Sequence, residues 1–530
     1  MTSTKINQEA SKDKKPRRPL ISGLIISAFT FLSRIFGLFR DIALAATFGG
    51  SGALDAFLIA FRIPNFFRRI FAEGAFVQAL LPMIVEFQSK GDKQALKDFL
   101  SHTLGFMILL LGIFCALGII FSDYLTLVFA AGFANDLAKF NLTSSMLQIT
   151  FSYLLLITLT AYFMALQNSV NKFALPAATP IILNISLLYA ILIVSPNWQT
   201  PIMAAAWGVL FAGCIQMAIQ IPAVYKCGLL ILPKFKWTLH HSVKRLLKVM
   251  APILLSGSIV QINLIIDLLL ASFLVVGSIA WLSFSERLIQ LPLGVFGIAL
   301  TTVMMPKLSR LHHTANTRAT NHFIDWAMRV ALLIALPAAI GLIIMAKPLL
   351  ASIYLYGSFT ENDIINSASA LRAYAIGLPG FILIKVLSSV FFAKQDTKTP
   401  LKATLAGVIV GIVGSLSLIW FLQHVGLALA TSISASFNAL ILGVVLYRNK
   451  SIRFNLAAMK FLSKLVIALV VLVIFLIYLA PHIQIGGDDW LAMQANMRLI
   501  NLLIIIPSAV IIYVLSLLIS GLRWKHINIK

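Results

Sequence analysis

Ser33-Arg34-Ile35-Phe36-Gly37-Leu38-Phe39-Arg40-Asp41 opens the stretch, 33–82, on which the reading of the whole chain turns. It continues through Asp55-Ala56-Phe57 and Arg62 to Pro64-Asn65-Phe66-Phe67-Arg68-Arg69-Ile70-Phe71-Ala72-Glu73-Gly74-Ala75-Phe76. Arg34, Arg40, Asp41, Asp55, Arg62, Arg68, Arg69 and Glu73 all sit inside apolar sequence of membrane-spanning length. The apolar run opens after Pro19, so at about 1.5 Å per residue Arg34 lies roughly 21 Å along a helix. That is most of the way through a hydrocarbon core about 30 Å thick, too deep for a guanidinium to reach the near headgroups. An ionised side chain there requires a partner or a water-filled cavity. A structural ion-pair network would satisfy any one of these residues. Several arginines that outnumber their acids point instead to a cavity built for an anion.

Working outward, 60% of the 530 residues are hydrophobic and only 11% are charged. Soluble domains carry about a quarter charged residues, so the chain reads as an all-α polytopic membrane protein. The net charge of +24 does not indicate nucleic acid, because the basic residues are scattered through short loops between apolar spans. Hydropathy predicts fourteen spans, near 20–49, 53–87, 101–122, 142–166, 174–195, 201–224, 249–275, 278–305, 324–347, 364–393, 402–422, 425–447, 457–480 and 497–521. Lysine and arginine concentrate in alternate loops, which places both termini in the cytoplasm. Residues 1–19 read as a cytoplasmic basic tail and carry no signal-peptide core. Residues 226–248 form a cytoplasmic loop whose 237–248 segment reads as an amphipathic helix on the membrane surface. Cys115, Cys214 and Cys227 give no disulfide framework.

The chain repeats itself. Leu81-Pro82 ends the second span as Met305-Pro306 ends the eighth, and the turns 171–176 and 395–400 correspond at the same shift of 224. Gly52 and Arg62 answer to Gly277 and Arg287. Residues 20–225 and 249–448 are therefore two copies of a six-helix bundle, related by a pseudo-twofold axis along the membrane normal. Residues 449–530, with spans thirteen and fourteen, fall outside the repeat.

Spacing suggests pairings. Arg34 and Asp41 are seven apart and share a helix face, as do Asp55 and Arg62; Arg69 and Glu73, four apart, can pair. Glu286, Arg287 and Gln290 occupy the matching helix of the second copy. Asp267, in span seven, is either paired across helices, with Lys385 or Arg372 as candidates, or a proton or cation site. Guanidinium forks match the oxygens of a diphosphate. There is no phosphate-binding loop, metal-ligand cluster or activated nucleophile, so no enzyme activity, metal or cofactor is expected.

The motif at 33–41, with Asp55-Ala56-Phe57 and 64–76, resembles the signature of the MviN/MurJ family, in the multidrug/oligosaccharidyl-lipid/polysaccharide exporter superfamily. The resemblance covers essentially the whole chain. It implies a lipid II flippase of the bacterial inner membrane, carrying the undecaprenyl-diphosphate-linked disaccharide peptide from the cytoplasmic to the periplasmic leaflet for peptidoglycan synthesis. It also implies substrate-binding roles for Arg34, Arg40, Arg68 and Arg287 and a place near the outer gate for Asp55. From the residues themselves, Ser33 joins the substrate-binding set, Asp41, Arg62, Arg69, Glu73 and Glu286 read as gate or ion-pair residues beside Asp55, and Asp267 as a candidate ion-coupling site. Spans thirteen and fourteen would hold the lipid tail, and membrane lipids and cell-wall synthesis proteins would be the partners. Gln290 departs from an acid in relatives, and span eleven, from Leu401 to Gln423, has neither the Asn nor the Asp of a known sodium site. The competing readings are an exporter of another polyprenyl-linked glycan or a drug, and a non-transporting scaffold for wall synthesis. An acidic cavity would suit a cationic drug, and a scaffold would not need arginines at mid-membrane.

Overall fold

The computed structural model describes residues 17–69, 75–235, 240–313, 317–452, 456–485 and 489–522, and within these every regular element is helical. Residues 1–16 of the basic tail, Glu73, and 237–239 of the expected surface helix lie outside the described residues. The first bundle's sequence forms α1 (Arg17–Phe48), α2 (Gly52–Arg68), α3 (Ala75–Ser89), α4 (Lys93–Ile120), α5 (Ser122–Phe129), α6 (Leu137–Ser169), α7 (Ala174–Tyr189) and α8 (Met203–Tyr225). The second forms α9 (His241–Ser272), α10 (Ser278–Pro292), α11 (Ile298–His313), α12 (Thr317–Ile344), α13 (Ala346–Tyr354), α14 (Glu361–Ala393) and α15 (Lys398–Arg448). Then come α16 (Leu456–Ile474) and α17 (Ala495–Ile519).

Eleven helices among the described residues are long and apolar enough to cross a membrane, against the fourteen expected. The second span is described on either side of residues 70–74, as α2 and α3, and within α9 the stretch Gln261–Ser272 is apolar. Part of the difference is local to α15. The 51 residues of α15 would extend about 77 Å if straight, more than two bilayer cores. They are broken at Gln423, whose φ of 49° and ψ of −127° are not helical. The 241–248 segment is not a separate surface helix either: it forms the first two turns of α9.

The described chain divides into two compact units that do not follow the sequence halves throughout. One comprises the chain up to Ala43, Ala60–Ser122 and Ser144–Gly257; the other comprises Leu44–Ile59, Asp123–Thr143 and the chain from Ser258.

In the first unit, α3, α4 and α6 close on a core that includes Leu80, Phe99, Tyr162 and Leu166, joined by Leu246 and Met250 of α9. The loop after α8 is strapped to α4: Lys234 N donates to Ser101 O at 3.0 Å. A Cβ on Gly105 would lie 2.2 Å from Lys234 O, so only glycine admits this approach. Arg245 grips Glu86 with two bonds, at 3.1 and 2.8 Å. Prolines inside helices leave carbonyls to be satisfied. Pro64 cannot donate to Ala60 O, and the Thr150 hydroxyl of α6 supplies the missing bond at 2.7 Å. Buried Gln167, Gln220 and Gln216 interlink α6, α8 and α7 through Thr179.

In the second unit α14 is the central helix, packed against α10, α12 and α15. A second core, with Leu465, Leu472, Ile505 and Tyr513, joins α16 and α17 to each other and to Leu333 of α12. Arg498 of α17 is buried, and its guanidinium donates to Ala351 O (2.9 Å) and Leu355 O (3.2 Å) at the C-terminal end of α13. A cation there satisfies the carbonyls that a helix end leaves open and meets the negative end of its dipole.

Candidate functional site

The motif residues of the first unit lie along α1 and the end of α2. Arg40 does not stand alone: its Nη2 and Nε donate to Asp41 Oδ1 at 2.6 and 3.0 Å, and its Nη1 donates to Asn184 Oδ1 at 3.0 Å. Asn184, on α7, donates in turn to Ser33 O at 3.1 Å, so the two ends of the motif are tied through one amide. The side chains of Arg40 and Asp41 are 11% and 7% exposed. Asp41 is thus engaged by its neighbour in sequence, where the seven-residue spacing suggested Arg34. The arginine stem is long enough to fold back along the helix. Arg34 is exposed. Arg68 Nε donates to Asn65 Oδ1 at 2.9 Å, one turn earlier on α2. Arg62 is half-buried and Arg69 exposed; the expected partner of Arg69, Glu73, lies outside the described residues.

A second cluster forms in the other unit, around the turn between α1 and α2. Asp55 is 1% exposed. Its carboxylate accepts from Gly277 N (2.8 Å), Ala280 N (3.0 Å) and Lys139 Nζ (3.3 Å). Gly277 is the N-cap of α10, with φ of 94° and no side chain to cap the helix. Asp55 therefore caps α10 from a different helix, taking the N-cap and N3 amides and meeting the positive end of the dipole. Asp55 does not use the Arg62 that shares its face in sequence for these bonds; Lys139, at the start of α6, lies over the Phe133 ring at 3.8 Å and delivers its charge here.

The same end holds a second buried carboxylate. Asp363 Oδ1 accepts from Trp281 Nε1 at 2.7 Å, and Oδ2 accepts from Thr360 N (2.9 Å), Thr360 Oγ1 (2.9 Å) and Gly50 N (3.3 Å). The backbones approach too closely for side chains. A Cβ on Gly50 would sit 2.0 Å from Asp363 Oδ1, and one on Gly277 would sit 2.8 Å from Gly50 O. Ser358 N donates to Ala46 O at 2.7 Å. Asn184, Lys139, Trp281 and Asp363 were not among the residues expected from sequence. Lys139 and Asp363 were findable: they stand at the repeat shift of 224, on the first turns of α6 and α14.

Of the remaining expected residues, Glu286 accepts from Gln290 Nε2 at 2.9 Å and Arg287 is half-buried on α10. Asp267 accepts from Asn263 Nδ2 (2.9 Å), Ser415 Oγ (3.0 Å) and Thr431 Oγ1 (3.5 Å). Arg372, a candidate partner for it, donates its Nε to Ile343 O at 3.3 Å. No cluster of three metal-ligating side chains occurs among the described residues.

This arrangement, basic motif on α1–α2 and glycine-tight turn against α10, lies within a chain that matches one family throughout. A family model described as "Lipid II flippase MurJ" matches residues 44–493. The chain belongs to the lipid II flippase MurJ family. A relative named "Probable lipid II flippase MurJ" in Vibrio cholerae is 37% identical over 519 residues, 97% of this chain and 98% of that one. A "Lipid II flippase MurJ" in Burkholderia cenocepacia is 34% identical over 476 residues, covering 89% of this chain and 91% of its own. Among solved structures, "Lipid II flippase MurJ, inward closed conformation" superposes with a TM-score of 0.78 at 28% identity, over 93% of this chain and 98% of that one. An inward-facing multidrug transporter of the MATE family shares the fold, with a TM-score of 0.63 at 14% identity, over 81% of this chain and 98% of that one. The chain is thus a multi-span member of a flippase family.

Proposed function

We propose that this chain moves lipid II across the bacterial inner membrane, from the cytoplasmic to the periplasmic leaflet, by alternating access. The observation that carries the reading is membership of the MurJ family over 44–493, in a chain that keeps Arg34, Arg40, Arg68 and Arg287 inside membrane-spanning sequence. The four arginines supply the positive charge for the diphosphate, by charge-assisted bonds each contributing on the order of 1.5–3 kcal/mol. Asp41 and Asn184 hold the Arg40 guanidinium so that little side-chain freedom is lost when the anion arrives. Both termini are cytoplasmic, so the Gly50 turn, Asp55, Asp363 and α10's start lie at the periplasmic end and form the gate there. The test is a leaflet-resolved assay of lipid II in cells depleted of the protein and supplied with wild type or single Arg→Ala variants at 34, 40, 68 and 287. Wild type restores lipid II to the periplasmic leaflet and each variant fails to, at normal abundance. Normal transport by the four-arginine variant would reject the role given to the arginines, and no transport by wild type would reject the function.

A further inference from the structure

We propose that Asp363 is the releasable latch of the periplasmic gate: it positions the Gly49-Gly50 turn and Trp281 while the gate is shut and lets Gly50 go when it opens. This rests on the alternating-access reading above.

The two carboxylates at this end are not equivalent. Asp55 takes its backbone bonds from the N-terminus of α10 alone, so its departure strands two amides and leaves the carboxylate with Lys139 as its remaining side-chain donor. Asp363 belongs to a capping box, in which Thr360 Oγ1 accepts from Asp363 N and Thr360 donates twice to Asp363 Oδ2. Those donors travel with Asp363 on its own helix. When Gly50 N leaves, the carboxylate keeps its cap and is not orphaned, so the release avoids the cost of an unsatisfied buried charge. The Gly50 bond is also the longest of its four, at 3.3 Å. The site admits no other residue than glycine in the turn, because any Cβ at 50 would overlap the carboxylate. Trp281 fixes the other oxygen, and its ring is backed by His424, with centroids 5.0 Å apart.

The repeat gives the position a counterpart. Asp363 and Lys139 are 224 residues apart, and each reaches from the first turn of its helix to the gate: Lys139 to Asp55 of α2, Asp363 to Trp281 of α10. One structural position thus carries opposite charges in the two copies, and each copy contributes one carboxylate to the gate.

Ser278 provides the reporter. It is fully buried and its hydroxyl makes no hydrogen bond, so cysteine replaces it with little disturbance. In full-length protein with Cys115, Cys214 and Cys227 replaced, the rate at which an impermeant maleimide labels Ser278→Cys from the periplasmic side measures gate opening. Asp363→Asn turns an amide group towards the Gly50 and Thr360 donors and should raise the labelling rate about tenfold, with Trp281→Phe giving a smaller rise in the same direction. Thr360→Val removes the hydroxyl cap alone and should leave the rate within about twofold. Unchanged labelling in Asp363→Asn at normal abundance overturns the latch. An equal rise in Thr360→Val also overturns it, by making Asp363 a helix cap and nothing more. Lipid II transport measured in parallel keeps the two readings apart, since labelling reports the gate whether or not lipid II is the cargo.

Discussion

Arg40 shows what a single side chain needs before it can serve as an anion ligand. Its charge is balanced by Asp41 and its direction is set by Asn184, which is itself held by Ser33 O. The sequence made Arg40 and Asp41 conspicuous but not their partnership, because facing residues on a helix are three, four or seven apart and these two are adjacent. Asn184 gave no signal at all: one amide in an apolar span reads as an ordinary polar residue. Asn184→Ala removes one bond to the guanidinium, so transport should fall about fivefold, in line with a loss of about 1 kcal/mol, while abundance holds. Transport kinetics in proteoliposomes check this. Asp267 was legible as an acid inside a span, and Asn263 stands one turn before it on α9, but Ser415 and Thr431 reach it only through packing of α9 with the two parts of α15. We propose that it couples transport to protonation. Asp267→Asn should then flatten the pH dependence of flipping and leave its response to membrane potential intact. An unchanged pH profile with reduced abundance would mark Asp267 as structural.

Helices follow the same logic one level up. The spans were readable because twenty apolar residues with few charges have one stable form in a bilayer, and the loops between them because lysine and arginine collect on one side. What hydropathy does not encode is continuity. It expected a surface helix at 237–248, whereas 241–248 are wound into α9 without a break. It separated spans eleven and twelve correctly in sequence, although the break between them rests on one residue, Gln423, in a conformation that nothing in its composition announces. Nor does hydropathy encode how a proline is accommodated: α2 carries Pro64 inside it and continues to Arg68, with Thr150 returning the hydrogen bond that proline removes. Thr150→Val keeps the shape and discards the donor, leaving Ala60 O unsatisfied in a buried place. The purified protein should lose about 1–3 kcal/mol of stability. A thermal melt in detergent beside wild type measures the loss, and an unchanged midpoint would show the carbonyl satisfied otherwise.

At the scale of the molecule, the repeat at 224 was the most informative sequence feature, and its use stopped short. Gly52 and Gly277, one residue off that shift, were paired, but Lys139 and Asp363, on it, were not, because opposite charges do not look like copies of one position. The glycine turns it did pair meet closely, with Gly277 against Gly50 O. Cysteines at Ser51 and Ser278, in protein freed of its own three, should therefore form a disulfide under mild oxidation that halts transport until reduced. Full activity with the bridge complete would show that this end need not open. Charge sets the energy scale of the cycle. Moving one elementary charge through the whole membrane potential is worth about 2.3 kcal/mol per 100 mV. An empty, arginine-rich protein should be drawn to its cytoplasm-facing state by an inside-negative potential, so dissipating that potential should slow multiple-turnover flipping in proteoliposomes. A rate indifferent to potential would locate the charge movement elsewhere.

Arg498 gives the last helix a bearing on the first. From α17 it holds Ala351 O and Leu355 O, and two to three residues further on Gly357 and Ser358 press against Ala46 of α1, where Ser358 N donates to Ala46 O. The terminal pair of helices is in this way wired, through the four residues 355–358, to the end of α1 that leads into the Gly49-Gly50 turn. A tail docking along α16 and α17 would tug on that wire.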